Sequence, residues 1–469
     1  MRRVSPFLAL SDIQGNVLRG YPAFKFARFM FFRILSAEAG RRFLDRLSFL
    51  ITPGEWGDRR PPAAFNIGLS FAGLEALELP YECLASFPVE FQQGMKARAR
   101  ALGDDPGVWQ PPWDVGRVHV VVMVYAANDG ERQRNCDEVS RIVDDINRDD
   151  GGPRIETLQH QDCQWLTVDG EPSRKEHFGF EDGISNPDVE GVPDNGPAVD
   201  CGNPDDSGEF RKIPAGEFIL GYPGEGGEVA PMPLPLLLGR NGTYLVIRKL
   251  EQHVRAFRTF LKKASRHLPH ALGVDPADYL AAKMVGRWKN GSPLVLYPEG
   301  EPKPRDPNNT FKYAADLAGA SCPLGAHIRR ANPRDSLGFG GRLMSRHRLI
   351  RRGIAYGPYL PETGGDGADE PTLRGIMFLA FNSGFDQFEF VQQAWIGSGD
   401  DFQQGDDMDP LVGSREERQM MIPGDEATAR PPFLCAGIPR FVTSRGGDYF
   451  FVPSLTGLRL MATGEVVVS

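Results

Sequence analysis

Two separated runs of this 469-residue chain hold side chains that could carry out redox and proton chemistry together. In the first, Gly179-Phe180-Glu181-Asp182-Gly183-Ile184-Ser185-Asn186-Pro187, a carboxylate sits between glycines that let the backbone approach a flat ligand closely. In the second, Cys322-Pro323-Leu324-Gly325-Ala326-His327-Ile328-Arg329-Arg330-Ala331-Asn332-Pro333-Arg334, a histidine precedes a cluster of arginines. A neutral imidazole is the usual proximal ligand of peroxidase haem iron. Arginines pair with propionates through charge-assisted bonds, and one positioned carboxylate can both remove and return a proton. The two runs therefore contain the parts needed to hold a haem and cleave a peroxide bond. Each alone has a plainer reading: an Asp in a glycine-flanked turn bonds its own backbone, and a histidine beside a basic turn can be a buried structural residue.

The rest of the chain must supply the scaffold. Hydrophobic residues at 41% and charged residues at 25% are ordinary globular values, and 54 Gly with 39 Pro point to long ordered loops. The length suggests about two or three domain-sized units. A net charge of -9 argues against a nucleic acid or an anionic membrane as partner, since both need a basic footprint. No window approaches the ~20 apolar residues of a membrane span, and Met1-Arg2-Arg3-Val4 is followed by no signal-length apolar region, so a cytoplasmic protein is expected. Cys83, Cys136, Cys163, Cys201, Cys322 and Cys435 form no Cys-x-x-Cys pair and read as reduced thiols.

Hydrophobic periodicity predicts two halves with a related order of elements. The first has strands over Phe24 to Leu35, Ala64 to Leu69, Val118 to Ala126 and Ile155 to Leu166, with helices over Ala37 to Leu50, Phe71 to Leu77 and Asn128 to Asn147. The second has a strand over Gly242 to Leu250, a helix over Gln252 to Leu268, a strand over Gly375 to Phe381 and a helix over Phe385 to Trp395. Both follow the β-α-β, β-α-β order of a ferredoxin-like unit. The expected fold is α+β: two ferredoxin-like halves, residues 1–200 and 201–469, forming a β-sandwich with peripheral helices, the dimeric α+β barrel type. Pro187 to Pro214 and Pro358 to Pro371 read as loops, rich in Pro, Gly and Asp.

Gly179 to Pro187 resembles the Gly-x-x-Asp-Gly signature of the dye-decolourising peroxidases. The run from His327 to Arg334 resembles their proximal-histidine segment, and Leu349-Ile350-Arg351-Arg352-Gly353 their distal-arginine segment. Further similarity lies at Asp12-Ile13-Gln14-Gly15-Asn16, Phe388 to Trp395 and Gly446 to Pro453, so the resemblance runs nearly end to end. It implies one haem b per chain, with His327 as its iron ligand, Asp182 as distal acid-base residue and Arg351 as distal arginine. It also implies haem contacts at Gly183, Ile184, Ser185, Asn332, Pro333 and Arg334, and places the distal Asp segment in the first half and His327 and Arg351 in the second. Arg352 competes for the distal role, and Gly353 stands where some relatives carry Asn. A carboxylate should orient the proximal histidine, with Asp386 and Glu389 as candidates.

The reaction implied is reduction of hydrogen peroxide with one-electron oxidation of aromatic donors such as dyes and phenols. An Asp with a reference pKa near 3.9 stays ionised at acidic pH, where a distal histidine would not. Trp165, Trp288, Trp395, Tyr356 and Tyr359 are candidate electron relays, although a scattered aromatic is usually core. Rival readings are a haem-handling protein with incidental peroxidase activity and a haem-free interaction module; homo-oligomerisation is left open.

Overall fold

The computed structural model describes residues 7–56, 60–193, 211–269, 273–361, 372–426 and 428–468. Val120–Ala126, a run of β-branched and apolar residues, is buried at every position, as a strand covered on both faces must be. In chain order the first strands are β1 (Phe26–Ile34), β2 (Ala63–Leu69), β3 (Val120–Ala126), β4 (Ile155–Thr157) and β5 (Gln161–Gln164), then a small hairpin of β6 (Leu166–Val168) and β7 (Glu171–Ser173). There follow β8 (Thr243–Gln252), β9 (Ile350–Arg351), β10 (Ile354–Tyr356), β11 (Gly375–Asn382), a separate hairpin of β12 (Arg418–Ile422) and β13 (Phe433–Ile438), and β14 (Val442–Val452). The large sheet runs β10-β11-β8-β14-β2-β3-β1-β4, with β5 also on β1 and β9 also on β11. The expected α+β architecture of two ferredoxin-like halves is observed.

Helices form where the local signals agree. The helix Asp129–Asp149 starts at Asn128, whose side chain accepts the Glu131 amide, relieving one orphan donor of the first turn. The strand expected over Ile155 to Leu166 is interrupted: Phe32 pairs with Thr157 and Phe29 with Gln161. Three residues thus face two on β1, the geometry of a bulge. The helix expected from Gln252 begins instead at Val254, because Gln252 still belongs to β8. The helix expected over Phe385 to Trp395 is α-helical to Phe390 and continues as a π-helical turn over Val391–Ile396. Of the two expected loops, residues 194–210 and 362–371 lie outside the described residues.

The halves meet edge to edge at one register pair, Phe451 with Leu69. Gln14, 1% exposed, reinforces that joint. Its Nε2 donates to Ile67 O at 3.0 Å and to Pro453 O at 2.9 Å, and its Oε1 accepts Ile67 N at 2.8 Å. Beside it, Asp12 accepts Asn241 Nδ2 at 2.7 Å and the Thr456 amide at 2.8 Å. In the second half, alternate residues Leu250 and Gln252, Ile376 and Phe378, Val442 and Ser444 face a cavity, as the period of two along each strand requires. Replacing Gln14 by Leu strands three buried backbone groups at the joint. Its expected cost is about 3 kcal/mol, read from urea denaturation of variant and wild type; an unchanged midpoint would remove Gln14 from that role.

Candidate active site

The cavity under the second half of the sheet has a volume of about 800 Å³ and is lined by Asp182, His327 and Arg351 together. His327 opens the short helix His327–Ala331, and its Nδ1 lies 2.9 Å from Asp409 Oδ2. Its imidazole is enclosed by protein yet 30% accessible, and it is the cavity that it faces. Asp409 is wholly buried; its other oxygen accepts the Leu411 and Val412 amides at 2.8 and 2.9 Å. Burial alone would lower the His327 pKa, but the adjacent Asp409 carboxylate outweighs it and holds the imidazole above its ordinary value. Burial in turn would raise Asp409, and the His327 charge and bond, with the Val412 amide and Arg330, hold it below the usual carboxylate range.

The partner of His327 is thus neither residue expected. Glu389 instead pairs with Arg98 and accepts the Tyr449 hydroxyl at 2.7 Å. Asp386 is exposed, and its charge acts on His347. Both lie on the helix Phe385–Phe390, whose packing directs them away from His327, whereas Asp409 lies in an irregular loop with no periodicity to mark it. The only local signal was Asp409-Pro410, a dipeptide that favours a turn. His347 also lines the cavity, but its ring stacks on Phe390 at 4.2 Å and its Nδ1 has no hydrogen-bond partner.

Asp182 ends a hairpin whose arms are joined by its own amide, Asp182 N donating to Arg174 O at 3.0 Å. Its Oδ1 accepts the Gly183 amide at 2.6 Å, and Gly183 has φ +76°, a conformation glycine adopts without strain. Arg351 Nη1 stands 3.9 Å from Asp182 Oδ1, too far for a direct hydrogen bond, so both polar groups stay available to a small molecule. Asn186 connects the two segments by accepting the Arg351 amide at 2.7 Å. Asn309 Nδ2 donates to Ile184 O at 2.8 Å and Ser185 Oγ donates to Asn309 Oδ1 at 3.0 Å, with Arg287 bonded to both Ser185 and Asn309. Sequence reasoning missed Asn186, Arg287 and Asn309 as supports, because polar residues in loops carry no pattern until their partners are known.

Arg352 points elsewhere: its guanidinium donates to Asn16 O at 2.9 Å and Val17 O at 3.3 Å, and burial pulls its pKa down to about 10. At Gly353 a Cβ would come within 3.2 Å of Ile376 Cγ2 and 3.3 Å of Met377 O, so close packing on β11 leaves little room for a side chain there. Ile184, Ser185, Asn332 and Arg334 line the cavity, as does Gly183; Pro333 is buried and is not among the lining residues. Arg334 Nη1 donates to Asn309 O and Phe311 O at 2.6 and 3.2 Å. Of the five aromatic relay candidates, Trp165 alone lines the cavity.

The donor set fits a haem. An imidazole held by a carboxylate through Nδ1 is the arrangement of an iron ligand, and the cavity is of the size of cofactor sites. Its lining mixes apolar Ile184, Val285 and Leu411 with arginines, and Asn332 Oδ1 is buried without a hydrogen-bond partner.

Comparison with known proteins agrees with this geometry. Residues 12–149 match the family model described as the DyP dimeric alpha+beta barrel domain. Over 96% of this chain and 87% of the relative, the sequence is 31% identical to dye-decolorizing peroxidase msp1 of Mycetinis scorodonius. It is likewise 31% identical to the multifunctional dye peroxidase DyP2 of an Amycolatopsis species, over 96% of this chain and 95% of that protein. Among solved structures, a dye-decolorizing peroxidase in complex with 2,6-dimethoxyphenol superposes with TM-score 0.80 at 27% identity, covering 97% of this chain and all of that one. An ancestral D-type dye-decolorizing peroxidase gives 0.79 at 28% identity over 97% of this chain and 99% of that one. The fold and site thus define a haem-dependent peroxidase of α+β barrel type. The chain belongs to the dye-decolourising peroxidase family.

The two adjacent arginines should separate in stability. Arg352→Leu leaves the Asn16 and Val17 carbonyls without their donor and should cost about 1–2 kcal/mol, whereas Arg351→Leu should stay within about 0.5 kcal/mol of wild type. Denaturant unfolding of both variants checks this, and equal losses would contradict it.

Proposed function

We propose that this peroxidase binds one haem b per chain in the cavity, with His327 as the iron's protein ligand and Asp182 and Arg351 acting on hydrogen peroxide. The observation that carries the reading is an imidazole fixed by buried Asp409 in the same cavity as an acid and an arginine whose side chains stay 3.9 Å apart. When bound, the haem supplies the redox chemistry, taking oxidising equivalents from peroxide and passing them to aromatic donors in one-electron steps.

The protein's own part is binding and proton movement. Asp409 accepts a hydrogen bond from His327 Nδ1, which leaves Nε2 as the nitrogen that would ligate the iron. Asp182 would take the proton from one peroxide oxygen and return it to the other, which would let the O–O bond break heterolytically with water leaving and the two electrons coming from the bound haem. Arg351 stabilises the negative charge that develops on the leaving oxygen. Gly183, Ile184, Ser185, Asn332 and Arg334, which line the cavity, would hold the haem, with the buried Pro333 supporting the last two. In this reading the halves are residues 1–200, carrying the distal Asp segment, and 201–469, carrying His327 and Arg351.

The 2,6-dimethoxyphenol complex of a related peroxidase supports phenols as donors, together with dyes of the kind for which the relatives are named. Among the described residues no helix is long and apolar enough to cross a membrane. Cys83, Cys136, Cys163, Cys322 and Cys435 are free, buried thiols, which supports a reducing, cytoplasmic setting.

His327→Ala should lose most of its haem while His347→Ala retains it, measured as Soret absorbance per protein after purification with haem supplied; a normal Soret band in His327→Ala would overturn the ligand assignment. Asp182→Asn keeps the shape but cannot accept the peroxide proton. It should keep its haem and react with peroxide about 10²- to 10⁴-fold more slowly, by stopped-flow from about pH 4 to 8, a range that begins near the reference Asp pKa. Unchanged rate constants across that range would remove Asp182 from the reaction.

A further inference from the structure

The hairpin that delivers Asp182 is closed by a second carboxylate that the peroxide chemistry does not use. Between its arms, Glu176 N donates to Phe180 O at 2.9 Å. The Glu176 side chain then folds back into the loop: Oε1 accepts the Phe180 amide at 2.9 Å, and Oε2 accepts the Phe178 amide at 2.9 Å and Gln252 Nε2 at 2.5 Å. Gln252 is on β8 and 6% exposed, so this contact ties the hairpin to the sheet. On the other flank, His177 Nε2 bonds Tyr356 O at 2.9 Å, and the Phe178 and Phe180 side chains enter a core with Phe257 and Phe441.

A carboxylate buried this deeply is expensive to keep ionised. Burial raises the Glu176 pKa, the bonds from Phe178, Gln252 and Phe180 offset part of that rise and the nearby Asp182 charge adds to it, which together leave it pushed up to about 7. Three donors take three of the roughly four lone-pair sites of the carboxylate, so although Glu176 borders the cavity, its bonds go to the backbone and side chain that it holds.

We propose that Glu176 is a positioning residue for the peroxide reaction: by holding the Phe178 and Phe180 amides and Gln252 together, it fixes the hairpin against β8 and so sets where the Asp182 carboxylate stands. The assignment rests on the role of Asp182 given above. Misplacing a reacting group by about 1 Å can cost 10²-fold in rate, and Asp182 lies six residues beyond Glu176 on the same hairpin.

Glu176→Gln tests it, because the amide is isosteric but presents an NH2 to donors that need an acceptor. With haem bound, the variant should react with peroxide up to about 10²-fold more slowly with an unchanged KM for the aromatic donor. Adding Glu176→Gln to Asp182→Asn should slow the reaction no further, since a residue acting through Asp182 has nothing left to position. Hydrogen exchange of the peptide 174–182, followed by mass spectrometry, should rise about tenfold, the equivalent of one lost hydrogen bond. If Glu176→Gln does not fold, Gln252→Met removes only the third bond and should give the same pattern with smaller effects. Wild-type rates in the variant that folds, a full multiplicative loss in its double mutant with Asp182→Asn, or unchanged exchange would each overturn the proposal. Wild-type rates in Asp182→Asn would sink the reading of Asp182 and the positioning role with it, whereas a slow Asp182→Asn beside a fast Glu176→Gln sinks the positioning role alone.

Discussion

The contact between Asp409 and His327 is the constraint on which the rest of the site depends. A carboxylate with no exposure is tolerable only when its lone pairs are filled and its charge is balanced. Here the Leu411 and Val412 amides fill one oxygen, the imidazole meets the other, and Arg330 adds a positive charge nearby. Because Nδ1 is the donor to Asp409, the remaining ring nitrogen is presented to the cavity. Arg330 locks the arrangement mechanically as well. It is itself fully buried and donates to Trp395 O, Ser398 O and Asp407 O at 3.0, 2.8 and 3.0 Å. Those bonds hold the helix that starts at His327 against the loop that brings Asp409 to it.

The other side of the cavity is built on a different principle. Asp182 and Arg351 are each more than a third accessible, and neither is paired so tightly that it is lost to a ligand. Their positions come from groups behind them: Asn186 on the Arg351 amide, Asn309 on the Ile184 carbonyl, Glu176 within the hairpin. Polar groups left loosely engaged by tightly engaged neighbours combine availability with fixed geometry. The same division holds at the joint between halves, where the ladder itself supplies one pair of residues and the buried Gln14 supplies the directional bonds.

Arg351 and Arg352 show how backbone geometry divides labour between identical side chains. Successive residues of an extended segment point to opposite faces. Arg351 therefore turns to the cavity and Asp182, while Arg352 turns to the carbonyls of Asn16 and Val17. One guanidinium faces the cavity and the other ties the N-terminal segment to the second half.

Much of this was legible in the chain before any coordinates. Burial patterns are local and periodic, so the all-buried Val120–Ala126 strand and the helices after β1 and β3 follow from residue order. Asp182, His327 and Arg351 stand in runs distinctive enough to be singled out by type and spacing. Asp409 was not legible, and the same holds for Asn186, Arg287, Asn309 and Glu176 as supports. Each acts through a hydrogen bond to a partner, and a bond of 2.9 Å between Asp409 and His327, 82 residues apart, leaves no local periodicity. Asp386 and Glu389 were closer candidates along the chain, but side-chain direction on a packed helix is set by what the helix packs against, and only the tertiary structure decides that.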